Sequence, residues 1–224
     1  MHQQKGKKIL IYFFLLLFVG SINNINLNNL KFKNINNIDV SGLGDVNDAI
    51  LLQEIKNLNL ENIFLLDKKK IINQIESNNV VENYDILKKY PSSLDINIKK
   101  TKFLARVNKN GKIFFIGSNG KLIKNNFLNN DLPFIFGSPN IDEFLNFKNI
   151  IDLSKISYAQ INNLYFFPSK RWDLELKNGT IIRLSNDNHK RSLNYAQEFL
   201  YNKELRDIKI IDARIKNQII LNDG

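Results

Sequence analysis

Hydrophobic and polar positions divide this chain into an apolar run, a polar tether and two patterned regions. Ile9 to Val19 is an uninterrupted apolar run entered through Lys5, Lys7 and Lys8. Asn23 to Asn34 carries no apolar period and reads as a linker. Beyond it, Ile35 to Val40 alternates as a short strand and closes on Ser41-Gly42-Leu43-Gly44. Leu51, Leu52, Ile55 and Leu58 follow at helical spacing behind Asp45 or Asn47 as cap. A second helix with Ile71, Ile72 and Ile75 on one face is expected behind Asp67. Val80 to Lys89 and Leu94 to Val107 read as strands joined at Tyr90-Pro91-Ser92-Ser93. In the second, Leu94, Ile96 and Ile98 alternate with polar residues, as in a half-buried strand. Two helices can cover one face of so small a sheet, which predicts an α+β layer pair.

The second patterned region is richer in strands. A hairpin is expected over Ile113 to Ile123, turning at Ser118-Asn119-Gly120, and a short strand over Leu132 to Gly137. Helical spacing covers Ile141 to Ser157. Leu164 to Phe167, Trp172 to Leu176 and Thr180 to Leu184 read as strands, the last two joined by Lys177-Asn178-Gly179. A helix capped within Asn186 to Asn188 and running to about Tyr201 precedes one long terminal strand, Ile208 to Leu221. That strand places Ile211, Ala213, Ile215, Ile219 and Leu221 on one face and Asp212, Arg214, Lys216 and Gln218 on the other. As the last strand it is expected at a sheet edge, where unpaired N–H and C=O groups accept another chain.

The apolar run changes the compartment. Lysines before it keep the N-terminus cytoplasmic and send the rest across the membrane. Two readings remain open: cleavage near Gly20 and Ser21, or a retained anchor over 9–27 whose apolar positions include Ile9, Phe13, Leu16, Val19 and Ile22. The second is expected, because apolar residues continue past Ser21 and no Ala-x-Ala-like site is present.

Composition then narrows the function. Hydrophobic residues at 43% are enough to build a core, and the absence of cysteine excludes disulfides and thiolate metal sites. The net charge of +10 accompanies heavy use of Lys, Asn and Ile and is read as compositional drift on solvated faces, not a nucleic-acid footprint. Gly42 and Gly44 lack the spacing and Lys-Ser/Thr of a phosphate loop. His189, expected exposed at a helix start, has no companions for a metal site or a triad. Asp142-Glu143 suits a helix N-terminus. Lys68-Lys69-Lys70 is a solvated helix face or a contact for an acidic partner or lipid head-groups. No convergent acid, base and nucleophile emerge, so neither an enzyme nor a cofactor is expected.

Taken in order, these patterns resemble the FtsQ/DivIB family of cell-division proteins. Asn62-Ile-Phe-Leu-Leu-Asp67 resembles the entry to the second helix of its POTRA domain, and Tyr90 to Ile98 the hairpin after it. Phe114 to Ile123, Leu132 to Gly137, Arg171 to Gly179 and Ile211-Asp212-Ala213-Arg214 resemble successive motifs of its β domain. Lys100 to Ala105 departs from the family's usual Glu- and Pro-containing segment. The resemblance implies a cytoplasmic tail (1–8), a transmembrane anchor (9–27), a linker (28–34), a β-α-α-β-β POTRA domain (35–102) and a mostly antiparallel β domain with flanking helices (103–224). It implies a divisome scaffold at the septum, a single-pass inner-membrane protein with its bulk periplasmic, and FtsB and FtsL as partners. Neither nucleic acid nor a small-molecule substrate is expected. The terminal residues Asp212, Arg214, Ile215, Lys216, Asn217 and Gln218 would then hold the partner, Arg214 by pairing a carboxylate. Lys170, Arg171 and Trp172 are possible neighbours. The alternative is a POTRA-type envelope chaperone, or an assembly or transport factor.

Overall fold

Alternation along Leu94, Ile96 and Ile98 builds the centre of the first folded unit: all three are buried on the strand that other strands flank. The computed structural model of the chain describes residues 3–22, 34–124, 131–200 and 208–223. In this unit β1 (Asn37–Ser41), α2 (Asp45–Lys56), α3 (Lys68–Ser77), β2 (Val81–Lys89) and β3 (Ser93–Lys100) follow one another, after a first helix α1 (Gln3–Ile22). The sheet order is β1-β3-β2, with β1 parallel and β2 antiparallel to β3. Leu51 and Ile55 of α2 and Ile71 and Ile75 of α3 cover one face, the predicted layer pair.

Asp67 caps α3 as expected, accepting the Lys69 N–H at 3.0 Å. The start of α2 differs. No side chain caps it. Instead the Asp48 carboxylate reaches back to the N–H groups of Gly42, Leu43 and Gly44 at 3.2, 2.8 and 3.1 Å. Gly42 has φ +116°, and a Cβ there would lie 1.8 Å from the Ile98 carbonyl oxygen, so this glycine serves a close backbone approach.

The strand predicted over Leu94 to Val107 is broken at Thr101-Lys102, where the chain leaves the first sheet for a second. That second unit contains β4 (Phe103–Lys109), β5 (Lys112–Gly117), β6 (Leu122–Ile123), β7 (Phe134–Phe136), α4 (Ile141–Asp152), β8 (Ile161–Phe166), β9 (Trp172–Leu176), β10 (Ile181–Leu184), α5 (His189–Leu200), β11 (Ile210–Ala213) and β12 (Ile220–Asn222). They form one nine-stranded sheet in the order β12-β11-β10-β9-β8-β7-β4-β5-β6. The sheet is mixed, not uniformly antiparallel: β4–β7, β7–β8 and β10–β11 are parallel. Parallel neighbours need a crossover, and α4 and α5 supply those from β7 to β8 and from β10 to β11. Trp172 anchors the core beneath the helices, 2% exposed and stacked on Phe147 with centroids 4.5 Å apart at 8°.

Two expectations need correcting. Among the described residues no helix is long and apolar enough to cross a membrane. The apolar part of α1, Ile9 to Ile22, rises about 21 Å at ~1.5 Å per residue, short of the ~30 Å hydrocarbon core. Residues 23–27 of the expected anchor, and the expected linker up to residue 33, lie outside the described residues. The long terminal strand is likewise two strands. β11 ends at Ala213, the chain turns over 214–219, and β12 returns antiparallel, pairing Ile211 with Leu221 and Asp212 with Ile220. Asn217 adopts φ +62° in that turn, and the Gln218 N–H donates to the Ile215 carbonyl at 3.2 Å.

Candidate functional site

The outer margin of the large sheet collects most of the residues marked from sequence. Alternation there is real but short. Ile211 and Ala213 of β11 are buried with the core, and the next apolar position, Ile215, is 53% exposed because the chain has already turned. Lys216, Asn217 and Gln218 share that exposed turn. β12 is the outermost strand of the sheet, and its Ile220 is 45% exposed.

Asp212 sits elsewhere than expected. It is 7% exposed and belongs to a row of alternating charges running across β9, β10 and β11. Register places Arg183 beside both Asp173 and Asp212. At one end Arg171 donates from Nε to Asp173 at 3.1 Å. At the other, Arg214 donates from Nε to both Asp212 oxygens at 2.8 and 2.9 Å. The fork of Arg214, assigned from sequence to a partner's carboxylate, is thus engaged within its own chain. Burial opposes ionisation of Asp212, but the hydrogen bonds and charge of Arg214 and Arg183 outweigh it and hold the carboxyl below its ordinary value. At Asp173 burial prevails over Arg171 and raises it.

Beside this row, α5 and the 214–219 turn enclose a cleft of about 300 Å³ lined in part by Asn188, Arg191, Tyr195, Ile215, Lys216 and Asn217. Arg191 donates to the Asn217 side chain, which ties the turn to α5. Its position could not be read from sequence, because α5 and the turn meet only once β10 and β11 pair through a crossover. The cleft offers cationic and aromatic surface next to an outermost strand, an arrangement suited to an extended chain bearing acidic residues.

The Lys170-Arg171-Trp172 group is placed differently. Trp172 is core and not an accessible contact. Arg171 lies over the Phe167 ring at 3.9 Å while bound to Asp173. Lys170, at φ +61°, is exposed, with Nζ 3.6 Å from Glu143. Its carbonyl meets His189 Nε2 at 3.1 Å, and burial lowers the pKa of that half-buried imidazole, which sequence placed in solvent. Among the described residues no group of His, Cys, Asp and Glu could hold a metal ion.

Comparison with known proteins covers both units. Residues 33–100 match the family described as "POTRA domain, FtsQ-type", and residues 105–214 match "Cell division protein FtsQ/DivIB, C-terminal". The second match stops at Arg214, so the rest of the turn and β12 lie beyond it. The chain is 24% identical over 206 residues to the cell division protein FtsQ of Rickettsia bellii (strain RML369-C), covering 84% of this chain and 72% of that protein. It is 25% identical over 191 residues to DivIB of Bacillus subtilis (strain 168), covering 82% and 72%. Against DivIB of Staphylococcus aureus (strain NCTC 8325 / PS 47) it is 29% identical over 135 residues, which is 59% of this chain and 31% of that longer protein. Among solved structures, the major extracytoplasmic domain of DivIB from Geobacillus stearothermophilus superposes with a TM-score of 0.33 at 14% identity, covering 48% of this chain and 92% of that one.

Proposed function

Because this chain belongs to the FtsQ/DivIB family of cell-division proteins, we propose that it serves the divisome as a non-catalytic scaffold that links early and late division proteins by holding FtsB and FtsL. Capture occurs by strand addition along β12. The 214–219 turn and the Arg191–Lys216 cleft receive side chains of the added segment. The work is done at the septum on the envelope side of the inner membrane, with the apolar surface of α1 as the membrane contact. The side chains from Ile9 to Val19 are all 52% to 73% exposed, which leaves them available to lipid.

The observation that supports this reading is the position of β12. An outermost strand presents backbone N–H and C=O groups to an incoming chain, and such edges pair unless they are blunted. Here the strand carries an exposed isoleucine, and its neighbouring turn carries another. Main-chain hydrogen bonds would supply affinity, and Ile215 and Ile220 the side-chain selectivity.

The test uses the full chain and the envelope segments of FtsB and FtsL. Ile215→Asp combined with Ile220→Lys removes both exposed apolar contacts without touching the buried core. Affinity measured by titration should fall at least tenfold while circular dichroism and Tm stay unchanged. Undiminished binding by a folded double variant would overturn strand capture at β12. Retention of barrel proteins in place of FtsB and FtsL would assign the chain to envelope assembly.

A further inference from the structure

The loop between α2 and α3 is built to present apolar side chains to the outside. Ile63 and Leu66 are buried, whereas Phe64 and Leu65 between them are 54% and 70% exposed. The geometry is held in place: the Asn62 side-chain oxygen accepts from the N–H groups of Phe64 and Leu65 at 3.1 and 3.0 Å. Tyr90, at the end of β2, is 63% exposed and places its ring 5.2 Å from that of Phe64. Together they form an aromatic and aliphatic tip on the POTRA unit.

A basic collar surrounds the tip. Lys88 donates to the Ile63 carbonyl at 2.8 Å, and Lys68 to the Ile86 carbonyl at 3.4 Å, so both ammonium groups stand beside the loop. Lys69 and Lys70 are exposed in the first turn of α3. Lys89 is ion-paired with Asp95, and the nearby Asp67 carboxylate is engaged in capping the Lys69 N–H. Glu61 is the remaining acid of the loop.

The tip also lies where the chain arrives from α1. Asn34 bridges to Asn62, and the Asn36 N–H donates to the Ser92 carbonyl at 3.0 Å. The stretch from Ile22 to Asn34 can span at most about 40 Å when fully extended. With α1 at a bilayer, this end of the POTRA unit is within its reach.

We propose that this tip seats on the surface of an anionic phospholipid bilayer. Phe64, Leu65 and Tyr90 enter the interface, and Lys68, Lys69 and Lys88 lie against lipid phosphates. Aromatic rings favour that depth, and juxtamembrane lysines are attracted by an anionic leaflet. The inference rests on α1 as the membrane contact and adds a second, orienting one that holds the POTRA unit down on the membrane.

The chain contains no cysteine, so single substitutions report single positions. Full-length Leu65→Cys and, as a control on the β9–β10 turn, Lys177→Cys are labelled with an environment-sensitive fluorophore. Each is added to vesicles of phosphatidylglycerol with phosphatidylethanolamine, or of phosphatidylcholine alone. The label at 65 should shift to the blue and be quenched by a lipid-borne quencher in the anionic vesicles only. The shift should be lost in Lys68→Glu with Lys69→Glu, and the label at 177 should stay silent. Co-sedimentation with the label at 65 still in water overturns the tip contact alone. Failure of the full chain to sediment with vesicles overturns the membrane placement of α1 as well. Burial of the label only after FtsB and FtsL segments are added assigns the tip to a protein and overturns the lipid assignment.

Discussion

Asp212 shows how far a single side chain can stand from its sequence pattern. Strict alternation puts it on a solvated face beside Arg214. The structure buries it within the Arg171–Asp173–Arg183–Asp212–Arg214 row, between Arg183 and Arg214, with Arg214 folded back onto it. A buried carboxylate with guanidinium donors depends on them for its charged form. Asp212→Asn should therefore lower stability at neutral pH by about 1–3 kcal/mol, measured by chemical denaturation. The sign with pH follows from the depressed folded value of Asp212. Its contribution is fully present above the ordinary Asp pKa of ~3.9 and is lost as pH falls through the lower folded value. The gap between wild type and Asp212→Asn should accordingly narrow below about pH 4. A gap independent of pH would show that the charge of Asp212 is not what the row uses. Trp172, flanked in sequence by Arg171 and Asp173, is buried in the core and stacks on Phe147.

At the level of elements, what was legible was local and what was not depended on distant pairing. Period and caps place α3 behind Asp67 and set the buried face of β3. The parallel pairs were hidden, because a strand's own residues do not say that α4 or α5 will return the chain to the same side. The broken last strand was hidden for a related reason. Ile215 and Ile219 continue the apolar alternation straight through a turn, and the only local sign of reversal is Asn217, a residue type that tolerates the left-handed region. This makes the turn testable. Asn217→Val forces a β-branched side chain into φ +62°, while Asn217→Gly relieves the backbone. Both lose the hydrogen bond from Arg191, so that loss cancels in the comparison. The valine variant should be less stable than the glycine variant by about 1–2 kcal/mol, with faster hydrogen exchange at 220–222. Equal exchange in the two would mean that β12 is held by its pairing alone. The margin proposed to capture FtsB and FtsL is thus itself made by one turn.

At the scale of the whole molecule, the described residues form two apolar core clusters that share no residue, one under α2 and α3 and one under α4 and α5. Beside the chain at Thr101-Lys102, a set of polar contacts crosses between them. Asn119, in the β5–β6 turn, donates to the carbonyls of Asn79 and Val81 at 2.9 and 2.8 Å, and Asn79 donates back to the Leu122 carbonyl at 3.0 Å. Ser118 donates to Glu82 at 2.9 Å, and Lys121 to the Glu76 carbonyl at 2.8 Å. Each such bond contributes about 0.5–1.5 kcal/mol, modest beside either core but concentrated in one short turn. That turn lies at the end of the nine-stranded sheet opposite β12. Loosening the joint should therefore separate the two units without disturbing the far margin. Asn119→Ala removes both donations to the first unit. Calorimetry should then show two resolved transitions where the wild type melts in one, while affinity for FtsB and FtsL segments stays within twofold. The POTRA tip would be free to swing relative to the captured partner, so division should suffer even though binding does not. If Asn119→Ala still melts in a single transition, the Asn119 donations are not what couples the cores, and the Ser118, Lys121 and Asn79 bonds together with the Thr101-Lys102 backbone hold the units without them.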